Sequence, residues 1–123
     1  MRYSLLLHNA EPTEGQVSDE RWRAMQLAFD AYAKSLDEAG VLRAAEIPQP
    51  VASTTTVTLR SGQLQVQDGP FADTKEVLGG YFLIDVTDLD AALAWAEKCP
   101  GAQYGVIEVR PAAISFIDGQ WHS

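Results

Sequence analysis

At 123 residues the chain is long enough for one domain, residues 1–123, with a real core and no need of disulfide or metal staples. Seventeen acidic residues against nine basic ones give a net charge of −8. That balance argues against nucleic acid, because phosphate binding needs clustered Lys and Arg, and disfavours anionic membrane surfaces. Cys99 is the one cysteine, so no intramolecular disulfide can form, and no run nears the ~20 apolar residues of a membrane span. The apolar run at Leu5–Leu7 is too short for a signal peptide. A cytoplasmic protein is the expectation.

Residues 2–8 read as a strand, with Tyr3, Leu5 and Leu7 on one face and Arg2, Ser4, Leu6 and His8 on the other. A polar stretch with Pro12 and Gly15 follows as a loop. Ser18 then caps a helix whose first turn carries Asp19 and Glu20, where the helix dipole favours negative charge. Trp22, Met25, Phe29, Tyr32 and Leu36 recur at helical spacing, and Gly40 closes the element. This aromatic stripe reads as core rather than as a cofactor platform.

Val41 to Glu46 forms a short strand before the Pro48-Gln49-Pro50 break. Residues 54–60 and 63–67 are rich in β-branched residues or alternate strictly, and Ser61-Gly62 alone separates them, so they make a hairpin with an uncharged Thr and Gln face. Asp68 to Glu76 follows as a rigid corner, since Gly69 supplies backbone freedom and Pro70 fixes φ; a helical turn at 73–77 is admissible. Gly79 to Val86 is a strand apolar on both faces, Tyr81 and Leu83 on one, Phe82, Ile84 and Val86 on the other. Thr87-Asp88-Leu89-Asp90 opens a second helix with Leu89, Ala92, Leu93 and Ala96 toward the core and Trp95 at its edge. Tyr104 to Arg110 is the last long strand, and the tail holds Ile114, Phe116, Ile117 and Trp121, enough apolar surface to dock.

The order strand, helix, strand, hairpin, strand, helix, strand predicts an α+β ferredoxin-like sandwich, an antiparallel sheet with two helices on one face. The other face would be left bare although Leu6, Tyr81 and Leu83 load it. A second copy packed sheet to sheet is the expected cover, giving a homodimer with clefts at its seam. The rival cover is the C-terminal tail of the same chain, in a monomer.

Asp68-Gly69-Pro70-Phe71-Ala72-Asp73-Thr74-Lys75-Glu76, with Leu78-Gly79-Gly80-Tyr81-Phe82 behind it, resembles the DGPFAETKE signature of the YCII-related, or DGPF, family. Asp73 for glutamate is the one departure within the nonapeptide. Ala39-Gly40-Val41-Leu42, Asp88-Leu89-Asp90-Ala91-Ala92, Cys99-Pro100 and Val109-Arg110-Pro111 agree in place, so the resemblance spans the chain. It implies a ferredoxin-like subunit in a dimeric α/β barrel, a fold shared with muconolactone-isomerase-like enzymes and chloromuconolactone dehalogenase. It also implies kinship with proteins encoded beside extracytoplasmic-function sigma factors. The founding branch of that superfamily carries a His–Asp pair. Here its histidine position falls on or near Phe29 to Tyr32 and its aspartate position on Cys99, so neither partner is present.

Two functions are therefore expected as alternatives. One is binding or transformation of a small organic molecule in a homodimer cleft, through an isomerase, lyase or dehalogenase-like step. The other is a non-enzymatic regulatory or protein-interaction module that contacts a sigma factor. For the first, His8 and Asp68 are the candidate acid–base pair, with Glu76 as an alternative partner, because such a step needs two ionisable groups within reach of one substrate. Asp68 also has a structural reading, its carboxylate accepting backbone N–H groups of the turn after it. Asp73, Lys75, Glu76, Tyr81 and Arg110 are the candidate ligand-binding residues, with Glu46 and Glu108 adding charge nearby. Cys99 reads as a buried spectator and His122 as incidental to function. No cofactor is expected: the two histidines and one cysteine lack metal-ligand spacing, Gly79-Gly80 opens a strand rather than a phosphate-binding helix, and no nucleophile elbow occurs.

Overall fold

The computed structural model describes residues 1–13 and 15–123. Four strands, β1 (Arg2–Asn9), β2 (Leu42–Glu46), β5 (Val77–Asp85) and β6 (Val106–Pro111), make one antiparallel sheet in the order β2-β5-β1-β6. Helix α1 (Asp19–Glu38) connects β1 to β2 and α2 (Leu89–Lys98) connects β5 to β6. That connectivity, with both helices on one face, is the ferredoxin-like α+β sandwich. Between β2 and β5 the chain inserts a hairpin, β3 (Thr55–Arg60) and β4 (Gln63–Asp68), which is a separate two-stranded sheet. A second small hairpin, β7 (Ser115–Ile117) and β8 (Gln120–His122), ends the chain.

Local chemistry explains where each element starts and stops. Ser18 Oγ accepts the Arg21 N–H and opens α1. At its far end Gly40, φ +75°, donates to Asp37 O while Val41 N donates to Leu36 O, the paired bonds of a Schellman stop. Asp88 Oδ1 accepts the Ala91 N–H at 2.9 Å and opens α2. Ser61 (φ 50°) and Gly62 (φ 75°) turn the β3–β4 hairpin with both central residues left-handed, the geometry whose twist matches paired strands.

The core lies between sheet and helices. Tyr3 and Leu5 from β1, Phe82 and Ile84 from β5, Tyr32 and Leu36 from α1, and Ala92 and Ala96 from α2 are all buried there. Phe82 is wedged between two rings of α1, stacked on Phe29 at 6.4 Å and edge-on to Tyr32 at 5.1 Å. The Tyr32 hydroxyl donates to Trp95 O at 2.8 Å, tying α1 to α2, and burial pushes its pKa well above the ordinary phenol value.

Two details differ from the helical spacing read along the chain. Trp22 remains 44% exposed, because the first turns of α1 run out beyond the sheet; the stripe becomes core from Phe29 onward. In α2 the small Ala92 and Ala96 take the buried positions and Ala91 and Trp95 flank them, so Leu89 and Leu93 point away and are 49% and 47% exposed. Two alanines let the helix axis come close to the sheet, which turns the leucines outward. The tail does not spread over the open face of the sheet as a lid. It folds on itself around the Asp118-Gly119 turn, with Phe116 edge-on to Trp121 at 5.1 Å and both rings more than half exposed. Cys99 is buried at the end of α2, and desolvation raises its thiol pKa.

Candidate functional site

Strand register decides which side chains share the face turned away from the helices. Leu6 stands opposite Tyr81 on one side and Glu108 on the other, Ser4 opposite Leu83 and Arg110, and Glu46 opposite Tyr81. Directly opposed residues lie on the same face. The open face therefore carries an apolar centre, Leu6 and Leu83, ringed by Glu46, Tyr81, His8, Glu108 and Arg110.

His8 and Glu108 are diagonal neighbours across β1 and β6. Glu108 Oε1 lies 2.6 Å from His8 Nε2, oblique to the direction in which a ring N–H would point, and Nε2 itself is out of solvent. On the opposite flank the Tyr81 hydroxyl donates to Glu46 Oε2 at 2.6 Å, and that bond holds the phenol proton above its ordinary pKa. Arg110, exposed, forms no ion pair among the described residues.

The Asp68 to Glu76 corner has a different job from the one its charges imply. Gly69, φ +99°, donates its N–H to Thr54 O at 2.7 Å, and its carbonyl accepts the Thr56 hydroxyl at 2.8 Å. These bonds pin the base of the β3–β4 hairpin without the Asp68 carboxylate, which is exposed and makes neither the expected turn bond nor an ion pair to His8 among the described residues. No helical turn forms at 73–77; Thr74 Oγ1 instead donates to Glu76 O at 2.6 Å. Asp73, Lys75 and Glu76 are exposed. The loop does end beside the His8 edge of the face, because Val77 pairs with Asn9 and Leu78 with His8.

Glycines make that edge possible. A Cβ on Gly79 would sit 1.8 Å from Asn9 Oδ1, and one on Gly105 would sit 2.5 Å from His8 O. Backbone and side chains thus close in around His8 more tightly than any other residue type allows.

Two hollows lie elsewhere, around Met1 and Asp85 at the opposite end of β1 and β5. Both are shallow and open. The Asp85 carboxylate there already receives the N-terminal ammonium at 3.0 Å, with Arg43 at 3.8 Å and Arg2 at 4.0 Å. Its charge is matched within the chain, so this cluster ties the sheet end together rather than waiting for a ligand. Among the described residues no three His, Cys, Asp or Glu side chains converge as a metal would need.

Comparison with known proteins adds the lineage. Residues 1–113 match the YCII-related domain family. The chain belongs to the YCII-related family. It is also 37% identical over 118 residues to an uncharacterised protein of Rhizobium meliloti (strain 1021), an alignment covering 93% of this chain and 94% of that relative. The YCII-related match takes in the whole sandwich, β1 through β6, and stops ahead of the β7–β8 hairpin.

Register is what chain-order reading missed at this site. Glu108 is the residue brought to His8, and Glu46 the acceptor for Tyr81; along the chain both read only as nearby charge. β1 and β6 are separated by nearly the whole sequence, so no local signal sets their alignment.

Proposed function

We propose that this YCII-related chain binds a small organic molecule on the open face of its sheet, with a second copy closing the site, and that His8 moves a proton there. The close approach of Glu108 to His8 on an otherwise apolar-centred surface carries the reading. A carboxylate beside an imidazole steadies the orientation of the ring, the arrangement a general acid–base needs. Leu6 and Leu83 offer contact to an apolar body, and Arg110 offers a cation to an anionic group on the same molecule. In this reading Asp68 belongs to the hairpin base, while Asp73, Lys75, Glu76 and Tyr81 form the charged and polar rim. Isomerisation and elimination both begin with removal of a proton from carbon, which is the step His8 would perform. A buried lone cysteine supports a reducing, cytoplasmic setting.

The test is a ligand thermal-shift screen of small carboxylates and lactones on wild type, His8→Ala, Glu108→Gln and Asp68→Asn. The expected result is a ligand whose stabilisation disappears in His8→Ala, weakens in Glu108→Gln and persists in Asp68→Asn. If His8→Ala folds and every ligand stabilises it as it does wild type, the site is not here. The bare β3–β4 hairpin favours a second reading, a protein-contact module such as one meeting a sigma factor.

A further inference from the structure

Strand register puts four side chains in one row across the open face: Glu46 on β2, Tyr81 on β5, Leu6 on β1 and Glu108 on β6. The next row, two residues along each strand, carries Leu83, Ser4 and Arg110. One small molecule lying on Leu6 and Leu83 touches groups from both rows.

The hydrogen-bonding groups of the two rows are sorted by kind. A phenol has one proton to donate and two lone pairs that accept. Tyr81 has committed its proton to Glu46 Oε2 at 2.6 Å. That bond is the main cause of the raised phenol pKa, so the proton stays in place through neutral pH. Toward a ligand, Tyr81 Oη has only lone pairs left to offer. Glu46 is a carboxylate and accepts as well, and no Lys or Arg pairs with it among the described residues. The β2–β5 flank therefore welcomes a hydrogen-bond donor and repels an anion. Arg110 on β6 is the converse. A guanidinium only donates, and this one forms no ion pair among the described residues.

Backbone pairing already joins β2 to β5 from Leu42 to Glu46, and an exposed side-chain bond adds little to it. The consequence of the Tyr81–Glu46 bond lies instead in fixing which way the phenol oxygen faces. Distance then sets the ligand's length. From Arg110 to Tyr81 is two strand steps of about 4.8 Å and one row of about 6.8 Å, or about 12 Å between Cα atoms. The flexible stem of Arg110 covers part of that gap. What remains suits a six-membered ring with a carboxylate at one end and a hydroxyl at the other, each making a bond of about 2.8 Å.

We propose that Tyr81 and Glu46 form a donor-reading subsite of the open face, and that the molecule bound there is a hydroxy acid. Its carboxylate meets Arg110, its apolar body covers Leu6 and Leu83, and its hydroxyl donates to Tyr81 Oη. Placement of the ligand on this face rests on the function proposed above; the requirement for a hydroxyl does not follow from that function. An analogue without the hydroxyl leaves the phenol and carboxylate facing an apolar edge. A methyl ether is no better, because it sets lone pair against lone pair.

Isothermal titration at pH 7 with 4-hydroxybenzoate, benzoate and 4-methoxybenzoate tests this on wild type, Tyr81→Phe, Glu46→Ala and Arg110→Gln. Wild type should hold 4-hydroxybenzoate about tenfold or more tighter than either analogue, the worth of one good hydrogen bond. Tyr81→Phe should bring the three to within about twofold of one another and leave benzoate where it was in wild type. Glu46→Ala frees the phenol proton to donate to the ether oxygen, so 4-methoxybenzoate should recover to within about threefold of the hydroxy acid. A merely structural role for the pair would not produce that reversal. Arg110→Gln should weaken all three alike and keep their ratio. A wild type that binds the three equally, or none of them at about 10 mM, overturns the proposal, and so does a preference that survives Tyr81→Phe. The wild-type comparison is decisive even if no variant folds. Weakening by Arg110→Gln without any hydroxyl preference sinks the subsite alone. Probes that bind Arg110→Gln as they bind wild type sink the open-face site together with it.

Discussion

Strand β5 and the β3–β4 hairpin both carry large apolar residues at alternate positions, β5 on both faces and the hairpin on one, and the fold treats them in opposite ways. Phe82 and Ile84 are 4% and 0% exposed, whereas Val57 and Leu59 are 60% and 69% exposed. The difference comes from connectivity. α1 and α2 are the crossovers that join β1 to β2 and β5 to β6, so they lie on the four-stranded sheet and cover it. The hairpin enters between β2 and β5 through short links, with no crossover helix of its own. Alternation states which residues share a face; the links between strands decide whether that face is covered.

The contrast breaks most visibly under truncation. Ile84→Ala or Leu36→Ala, at positions with no exposed surface, should cost roughly 2–5 kcal/mol by urea unfolding, because each leaves a cavity in a packed core. Leu59→Ala should change subunit stability by less than about 0.5 kcal/mol, as exposed substitutions do, when measured at a concentration low enough to keep copies apart. Comparable losses at the two sites would mean that the β3–β4 hairpin is folded into the core in solution.

Glycine substitutions sharpen the same contrast between rigid and yielding surroundings. Gly105→Ala drives a methyl group into the His8 carbonyl, and Gly79→Ala drives one into the Asn9 side-chain amide. The carbonyl belongs to a strand paired on both sides, so β1 or β6 must shift, and an overpacking cost of about 1–3 kcal/mol is expected. Asn9 Oδ1 is the end of a mobile side chain and can swing away, so Gly79→Ala should cost well under half as much. Paired urea melts decide this. Equal costs would place the resistance in Asn9 itself.

Much of this fold was legible in the sequence because its signals are local. Ser18, Gly40 and Ser61-Gly62 each act within four residues of the bond they make and stand where the sequence places them; the second helix opens within Thr87–Asp90 as expected, with Asp88 rather than Thr87 as its cap. The Asp118-Gly119 turn was as legible in principle, a hairpin dipeptide between Phe116 and Trp121, but those rings were read as docking surface. What needed the structure was alignment between distant strands. Asp68 and His8 lie sixty residues apart with charges that invite pairing, yet the hairpin sends Asp68 to its own base, and register hands His8 to Glu108. The rotation of α2 escaped for a related reason: helical spacing offers Leu89 and Ala92 equally, and close approach to the sheet selects the alanine.

The smallest predicted effect separates the two ends of the open face. At the His8 end Arg110 forms no ion pair among the described residues, whereas at the Asp85 end the charged groups satisfy one another. The hydrogen bond from the N-terminal ammonium, helped by the Arg43 and Arg2 charges, holds the Asp85 carboxyl below its ordinary value. A carboxyl more acidic when folded than when unfolded adds stability above its unfolded pKa of about 4 and loses it as pH falls through the folded value. Wild type should therefore exceed Asp85→Asn in stability by a constant margin from pH 7 down to about pH 5, and the margin should close below about pH 4. With a third of the side chain exposed, water and salt screen these pairs, so the margin is small and should shrink further in high salt. A margin that stays flat to pH 2, or widens on acidification, would mean that the cations around Asp85 do not hold its charge.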